Sequence, residues 1–115
     1  FDSMGQLNYL STLQFVDAVI GNSSSGLAEA PTFKIGTVNI GDRQKGRLKD
    51  NSVIDCEPSK TSIMKSLKKL YSKDFQNKLL NVDNPYGEGD ASSKITKILK
   101  KQTIPNNPKK EFYDL

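Results

Sequence analysis

The sequence predicts an α/β fold with a few parallel strands and flanking helices. Two short apolar runs, 15–20 and 36–40, are rich in β-branched residues, and the first shows no periodicity, as is typical of strands in a buried parallel sheet. Apolar residues at helical spacing occupy the segments around them, and glycine or proline stands at several junctions. Strands that alternate with helices in this way favour a parallel sheet.

The first half of the chain contains two predicted helices and two predicted strands. In chain order these are a helix over 6–14, a strand over 15–20, a helix over 23–30 and a strand over 36–40. Leu7, Leu10 and Leu13 repeat on one side of the first helix, with Tyr9 on another side. A serine caps the second helix, and Pro31 ends or bends it.

The second half is predicted to be mainly helical. A polar loop over 42–51 precedes a short strand over 52–55 and a helix whose first turn holds Pro58. A helix capped by Ser72, a turn-rich loop over 81–90, a helix capped by Asp90 that runs through Lys101 and an extended tail over 102–115 follow. The apolar residues that we expect on one face of each of these helices are Ile63, Met64, Leu67, Leu70, Phe75, Leu79, Leu80, Ala91, Ile95, Ile98 and Leu99.

The composition excludes several classes of function. The chain has 115 residues with one cysteine, Cys56, and no histidine, which rules out an internal disulfide, a histidine-based triad and a histidine-containing zinc site. Together with the lack of a secretory signal and of a run of about 20 apolar residues, it predicts a cytoplasmic protein that does not enter the membrane. A net charge of +4 mildly favours anionic ligands.

The segment GNSSSGLAE at 21–29 carries the clearest chemical signal. It places Ser23, Ser24, Ser25 and Gly26 where a strand meets a helix, and the first backbone N–H groups of a helix have no partner within it. Such N–H groups, serine hydroxyls and a glycine that admits a ligand to the backbone together favour a phosphate site. The alternative is an ordinary serine-rich helix cap without a ligand. The standard nucleotide motifs, Walker A and GxGxxG, are absent.

Two charged residues extend this prediction. Glu29 follows the serines by about one and a half helical turns, where a carboxylate can accept hydrogen bonds from sugar hydroxyls. Arg43 follows the second strand at the same predicted edge, and a guanidinium suits a phosphate. The alternatives are a solvent-facing helix residue and a solvated loop charge.

Three longer motifs carry a resemblance to a known family. DAVIGNSSSGLAEAP at 17–31, KIGTVNIGDRQKGR at 34–47 and NPYGEGDASSKI at 84–95 are similar to motifs of the hydrolysing UDP-N-acetylglucosamine 2-epimerases, in particular the bacterial sialic-acid-pathway branch. The resemblance covers essentially the whole chain. It implies two Rossmann-like halves in a GT-B arrangement, of which this chain resembles the later part of the C-terminal half.

On this resemblance, residues 1–115 form part of a C-terminal UDP-binding domain. Residues 1–56 supply the strand–helix units with the nucleotide-binding loops, 57–101 the C-terminal helices, and 102–115 a tail. The missing N-terminal domain of the same protein is then an expected partner, and the last helix is expected to cross back towards it.

The resemblance also implies an activity. Anti elimination of UDP from UDP-N-acetylglucosamine leaves a 2-acetamidoglucal, and the addition of water then gives N-acetylmannosamine. No metal or other cofactor is expected. The proton-transfer groups of the family come mainly from the N-terminal half, so we expect this chain alone to bind UDP weakly and not to catalyse the reaction.

The resemblance implies roles for individual residues. At the diphosphate, Ser23 and Ser24 match the serines that hold it, Ser25 and Gly26 continue that turn, and Arg43 matches an arginine. Glu29 matches the acid that binds the ribose. Ser3 and Met4 match a segment that meets uracil through its backbone, and Tyr9 stands where relatives place an aromatic residue near the base. Core packing is the alternative for Tyr9, and the loop 84–87 is interpreted as structural.

Other functions remain open at this stage. A UDP-sugar-binding portion of a GT-B glycosyltransferase, or a non-catalytic sugar-nucleotide-binding module, would keep the nucleotide site without this chemistry. A nucleic-acid-binding domain is poorly supported, because 17 Lys and Arg residues stand against 13 Asp and Glu and no recognition motif occurs. An exposed sheet edge would also allow self-association into a homo-oligomer.

Overall fold

The computed structural model describes residues 4–87 and 89–103. In chain order its elements are α1 (Gly5–Leu13), β1 (Ala18–Gly21), α2 (Ser25–Ala28), a 3₁₀ turn (Ala30–Phe33), β2 (Gly36–Ile40), β3 (Val53–Cys56), α3 (Lys60–Leu70), α4 (Lys73–Leu79) and α5 (Ala91–Lys101). Within these residues the predicted α/β class is confirmed. Ser3 and most of the predicted tail lie outside the described residues.

The three strands form one parallel sheet in the order β1–β2–β3. Ala18 pairs with Gly36 at one end of the β1–β2 ladder, and Ile40 pairs with Cys56 at the end of the β2–β3 ladder. Because β2 lies between two neighbours, four of its five residues are buried. The parallel pairing brings the carboxyl ends of all three strands to one edge of the sheet.

The main hydrophobic core lies where α3 and α4 cover the sheet. Val38 and Ile54 contribute from the strands, and Leu70, Phe75 and Leu79 contribute from the helices. Both helices begin at a serine cap: the Ser59 hydroxyl accepts a hydrogen bond from the Ser62 N–H at 3.2 Å, and the Ser72 hydroxyl accepts one from the Phe75 N–H at 3.3 Å. The predicted cap at Ser72 is therefore confirmed. Pro58 lies before the cap and not inside the first turn.

The opposite face of β2 packs closely against α2. Thr37 alternates with Val38 along the strand and therefore points to the other face of the sheet. Its hydroxyl donates to the Gly26 carbonyl at 2.8 Å. A Cβ on Gly26 would lie 2.5 Å from Thr37 Cγ2, so only glycine fits here. The helix–strand contact accounts for this glycine without a ligand.

Several predicted element limits are wrong. The first strand begins at Ala18 and not at 15, because Phe15 lies in the turn after α1 with 86% of its surface exposed. Residues 23–30 do not form one helix: α2 spans four residues and a 3₁₀ turn follows, with Pro31 in its first positions. The predicted inward residues Leu7, Met64 and Leu80 are exposed.

The last helix, α5, has the predicted length but buries none of its residues. Ile95, Ile98 and Leu99 remain more than half exposed, so the apolar face predicted from the sequence has no core to enter among the described residues. Asp90 occupies the N-cap position in a left-handed conformation, but its carboxylate makes no capping hydrogen bond. None of the helices within the described residues is long and apolar enough to span a membrane.

The neighbouring leucines at the end of α4 provide a test of this packing. Leu79 is 3% exposed and Leu80 is 65% exposed. We expect Leu79→Ala to lower the free energy of unfolding by about 2–5 kcal/mol, because it leaves a cavity in the core. Leu80→Ala is expected to change it by less than about 0.5 kcal/mol. Urea unfolding followed by circular dichroism measures both, and equal losses would contradict the described helix orientation.

Candidate functional site

The candidate site is formed by the chain segments that leave the carboxyl ends of β1 and β2. Register pairs Gly21 with Asn39, so the two segments start side by side. The first contains residues 23–25, here called the serine turn. The second contains residues 42–51, here called the basic loop because it carries Arg43 and three further cationic residues. The carboxyl edge of a parallel sheet is where open α/β folds bind ligands.

The serine turn is held by short-range hydrogen bonds. The Ser23 hydroxyl accepts from the Ser25 N–H at 3.3 Å, and the Ser23 carbonyl accepts from the Gly26 N–H at 3.3 Å. Ser24 occupies the N-cap position of α2 without a side-chain capping bond. These contacts fix the backbone of the turn and leave its outer side open.

The outer side of the serine turn presents donors for an anion. Ser23 and Ser24 are exposed, and within the described residues their backbone N–H groups and the Ser24 hydroxyl make no hydrogen bond to protein. Since α2 has only four residues, its dipole adds little. The capacity to bind an anion therefore depends on these individual donors and not on a long helix.

Tyr9 comes from α1 to the same turn. Its hydroxyl forms a short hydrogen bond with the Ser25 hydroxyl, and its side chain is half-buried. This contact brings α1 against the serine turn, although the two residues are 16 positions apart in the sequence. Met4 is exposed at the N-cap position of α1. Its predicted neighbour Ser3 lies outside the described residues.

Glu29 stands between α2 and the 3₁₀ turn. Its backbone N–H donates to the Ser25 carbonyl at 2.9 Å, and its carbonyl accepts from the Thr32 N–H at 3.1 Å. The residue is half-buried, and its carboxylate has no hydrogen-bond or ion-pair partner within the described residues. The backbone is therefore fixed while the carboxylate remains available to a hydroxyl donor.

Arg43 lies near the start of the basic loop and is exposed. Its guanidinium forms neither a salt bridge nor a hydrogen bond within the described part of the chain. The next residue, Gln44, is 2% exposed and donates from Nε2 to the Asn22 carbonyl at 2.6 Å. This hydrogen bond joins the basic loop to the residue that precedes the serine turn. Gln44 therefore helps to fix the backbone next to Arg43.

Gln44 is a residue of the candidate site that sequence reasoning missed. A glutamine within a polar, basic segment gives no sign of burial, and only the neighbouring strand ends reveal its partner. Its Oε1 and the Oδ1 of Asn39 are both buried without a hydrogen-bond partner in the described structure. Each of these amides is therefore held through its NH₂ group alone.

A second anchor holds the far end of the basic loop. Asp55 on β3 accepts hydrogen bonds from Asn39 Nδ2 at 2.7 Å and from Lys49 Nζ at 2.5 Å. Partial burial raises the pKa of the Asp55 carboxyl, but the hydrogen bonds from Lys49 and Asn39 and the charge of Lys49 outweigh it and hold the pKa below its ordinary value. The carboxylate is thus the form that fits the folded loop.

A cleft of about 620 Å³ lies beside this anchor, at the ends of β2 and β3 and the start of α3. Its lining residues are Gly41, Asp42, Lys45, Asp55, Cys56, Glu57, Pro58 and Ser62. None of the predicted nucleotide-binding residues lines it, although Asp42 and Lys45 of the basic loop do. No cluster of three metal-ligating side chains occurs in the part of the chain that the structure describes.

Comparisons with known proteins agree with the resemblance drawn from the motifs. Residues 1–100 match the family model described as UDP-N-acetylglucosamine 2-epimerase. The chain is 44% identical to the GDP/UDP-N,N'-diacetylbacillosamine 2-epimerase (hydrolyzing) of Campylobacter jejuni, over 100% of this chain and 30% of that protein. It is 38% identical to the polysialic acid biosynthesis protein P7 of Escherichia coli, over 94% and 28% of the two chains.

A third relative is the UDP-N,N'-diacetylbacillosamine 2-epimerase (hydrolyzing) of Legionella pneumophila, which is 34% identical over 84% of this chain and 24% of its own length. The chain therefore spans less than a third of the length of each of these curated relatives. The match favours the epimerases over the glycosyltransferase that the sequence alone left open.

The anchor at Asp55 predicts a dependence of stability on pH. Because its folded pKa lies below the unfolded value of about 3.9, its contribution is complete well above pH 3.9 and is lost as the pH falls through the folded pKa. Between about pH 5 and about pH 2.5, which spans the ordinary carboxyl pKa, we expect the unfolding free energy of Asp55→Asn to fall less than that of the wild type. Urea titrations at each pH measure this difference.

Lys49→Ala removes the partner and keeps the carboxylate, so it is expected to reduce the same acid-dependent loss. The expected effect is small, because Asp55 is more than half exposed and solvent screens the pair. Parallel pH profiles for the wild type and both variants would show that this ion pair does not anchor the loop.

Proposed function

The chain belongs to the UDP-N-acetylglucosamine 2-epimerase family, and we propose that it is the UDP-binding part of a hydrolysing UDP-sugar 2-epimerase. The observation that carries this proposal is the open set of donors on the serine turn, together with an unpartnered guanidinium at Arg43 on the loop that Gln44 joins to Asn22. A pyrophosphate is the anion that fits this combination, because it can accept hydrogen bonds at one phosphate while a guanidinium holds the other.

The proposal assigns the diphosphate to the serine turn and the basic loop. Ser23 and Ser24 bind it through their N–H groups and hydroxyls, Ser25 and Gly26 complete the turn, and Arg43 neutralises its charge. The backbone bonds that fix the turn support this assignment, since donors that are already ordered lose little entropy on binding. Gln44 supports it by fixing the loop that carries Arg43.

The nucleoside is assigned to the other side of the serine turn. Glu29 accepts hydrogen bonds from the ribose hydroxyls, since its carboxylate has no partner in the described structure. The segment of Ser3 and Met4 meets uracil through its backbone. Tyr9 lies against the serine turn and contributes to the base end of the site.

The proposed reaction is anti elimination of UDP, followed by hydration of the resulting glucal to a 2-epimeric sugar. Elimination moves negative charge onto the departing diphosphate. Donors on the serine turn and the Arg43 guanidinium stabilise that charge as it develops, which lowers the barrier and does more than hold the substrate. Removal of one such donor from a preorganised site typically costs about 2.7–4 kcal/mol in the transition state.

The sugar defines two candidate substrates. UDP-N-acetylglucosamine follows from the family description, with N-acetylmannosamine as product. A UDP-N,N'-diacetylbacillosamine is favoured by the names of two relatives, from Campylobacter jejuni and Legionella pneumophila. Both substrates share the UDP group and the 2-acetamido carbon, so the proposed residues of this chain serve either.

The remaining catalytic groups are assigned to a part of the protein outside these residues. The relatives are more than three times as long, and this chain has no histidine for proton transfer. The serine turn is an exposed surface and not an enclosed pocket, which fits a site that a second domain covers. The chain alone is therefore a binding unit and not an active enzyme, and no metal or redox cofactor is required.

Calorimetry with UDP tests the diphosphate site. We expect the chain to bind UDP and to bind uridine less tightly, and Ser23→Ala/Ser24→Ala to weaken UDP binding about tenfold, because charge-assisted hydrogen bonds are lost. Ser92→Ala/Ser93→Ala changes an equivalent exposed pair on α5 and is expected to leave binding unchanged. Equal affinity for UDP in both double variants would contradict the proposed diphosphate site.

Turnover assays test the division of labour. We expect the 115-residue chain to release no UDP from UDP-N-acetylglucosamine or UDP-N,N'-diacetylbacillosamine, since the proton-transfer groups are assigned elsewhere. Coupled detection of free UDP measures this. Release of UDP that disappears in Arg43→Gln but persists in Lys69→Gln would refute the assignment of catalysis to another domain and place it in this chain.

A further inference from the structure

The loop after α4 has an internally ordered shape. We call residues 84–87 the clasp. Asn84 Oδ1 accepts a hydrogen bond from the Tyr86 N–H at 2.9 Å, and the Asn84 carbonyl accepts one from the Gly87 N–H at 2.9 Å. Gly87 has a φ of +91°, which favours glycine at the end of this turn. The clasp is therefore a defined turn whose two polar side chains face in set directions.

One side chain of the clasp holds the segment that carries Glu29. Asn84 Nδ2 donates to the Ala28 carbonyl at 2.7 Å and to Thr32 Oγ1 at 2.7 Å. These two acceptors lie on either side of Glu29 in the sequence. The Asn84 amide thus uses both of its N–H groups to fix the short stretch from which the Glu29 carboxylate projects.

The other side chain of the clasp holds the basic loop. The Tyr86 hydroxyl donates to the Leu48 carbonyl at 2.9 Å, while half of the Tyr86 surface remains exposed. Leu48 follows Arg47 and lies five residues after Arg43. The contact bridges 38 positions of the sequence. It complements the Gln44–Asn22 bond, which holds the loop from its other side.

We propose that Asn84 and Tyr86 are positioning residues that set the spacing between Glu29 and Arg43 across the nucleotide site. The inference rests on the proposed function, because it takes Glu29 as the residue that binds the ribose and Arg43 as one that binds the diphosphate. Glu29 and Arg43 belong to separate loops, and the clasp is a rigid turn bonded to both. A binding group must be held within about 0.5 Å of its productive place, so a lost bridge weakens binding without removing a ligand contact.

Two substitutions separate the two halves of the clasp. Asn84→Asp keeps the size and the acceptor for the Tyr86 N–H but loses both donors to the Glu29 segment. Tyr86→Phe loses only the bond to Leu48. The matched controls are Asn81→Asp, at the exposed start of the same loop, and Tyr71→Phe, at an exposed tyrosine after α3. The aspartate control carries the same added charge.

Calorimetry with UDP is the first measurement. Asn84→Asp, which loses two hydrogen bonds, is expected to weaken UDP binding about tenfold. Tyr86→Phe, which loses one, is expected to weaken it about threefold, and both controls are expected to leave it unchanged. In a Glu29→Gln background, Asn84→Asp is expected to weaken binding further by less than about twofold, because it acts through Glu29. A purely structural role would give additive effects, and additivity overturns the proposal.

Amide hydrogen exchange is the second measurement, and it requires no ligand. Asn84→Asp is expected to speed exchange at the Thr32 and Lys34 amides, which bond to the Glu29 and Pro31 carbonyls, and to leave the Val38 amide of β2 unchanged. Unchanged exchange at Thr32 and Lys34 overturns the clasp. If Asn84→Asp speeds exchange at these two amides but the wild-type chain does not bind UDP, the clasp stands and the proposed function is overturned instead.

Discussion

The structure depends on the parallel pairing of β2 with a strand on each side. This pairing places β2 in the middle of the sheet, where helices bury both of its faces, and aligns the ends of the three strands. The serine turn follows β1, the basic loop follows β2, and Asp55 lies near the end of β3. Residues that are 16 and 22 positions apart in the sequence therefore meet at the ends of the strands. Asn39 reaches Asp55 because the two residues are register partners, and Gln44 reaches Asn22 because their segments leave neighbouring strand ends.

The exposed donors of the candidate site have a local origin. A four-residue helix does not concentrate much charge at its first turn, so the serine turn offers only individual N–H and hydroxyl donors, which the Ser23 side chain and carbonyl help to order. Arg43 adds a full positive charge from the neighbouring loop. The donors follow β1 and the guanidinium follows β2, so the sheet and the hydrogen bonds between these segments set the spacing of the two groups.

The sequence predicted the strand–helix order, the presence of three strands and the cap at Ser72, because these depend on local patterns. The serine cap predicted for the second helix makes no side-chain capping bond. The sequence prediction erred where burial depends on tertiary neighbours. Leu79 and Leu80 are equally apolar, and only the orientation of α4 buries the first and exposes the second. Phe15 joins the apolar run in the sequence but lies in a turn. Gln44 and Asn84 have the sequence context of ordinary loop residues. Their hydrogen-bond partners are 22 and 56 positions away, so no local pattern predicts these contacts.

The contact between α2 and β2 has a consequence for variation in this fold. Because Thr37 Cγ2 fills the space that a Cβ at position 26 would need, and its hydroxyl holds the Gly26 carbonyl, the two positions share one fixed volume. A larger residue at 26 is compatible with this backbone only if position 37 shrinks at the same time, with serine as the replacement that keeps the hydroxyl. A larger residue at 26 with threonine kept at 37 pushes the serine turn away from the sheet, whereas a smaller residue at 37 with glycine kept at 26 leaves unfilled space between α2 and β2.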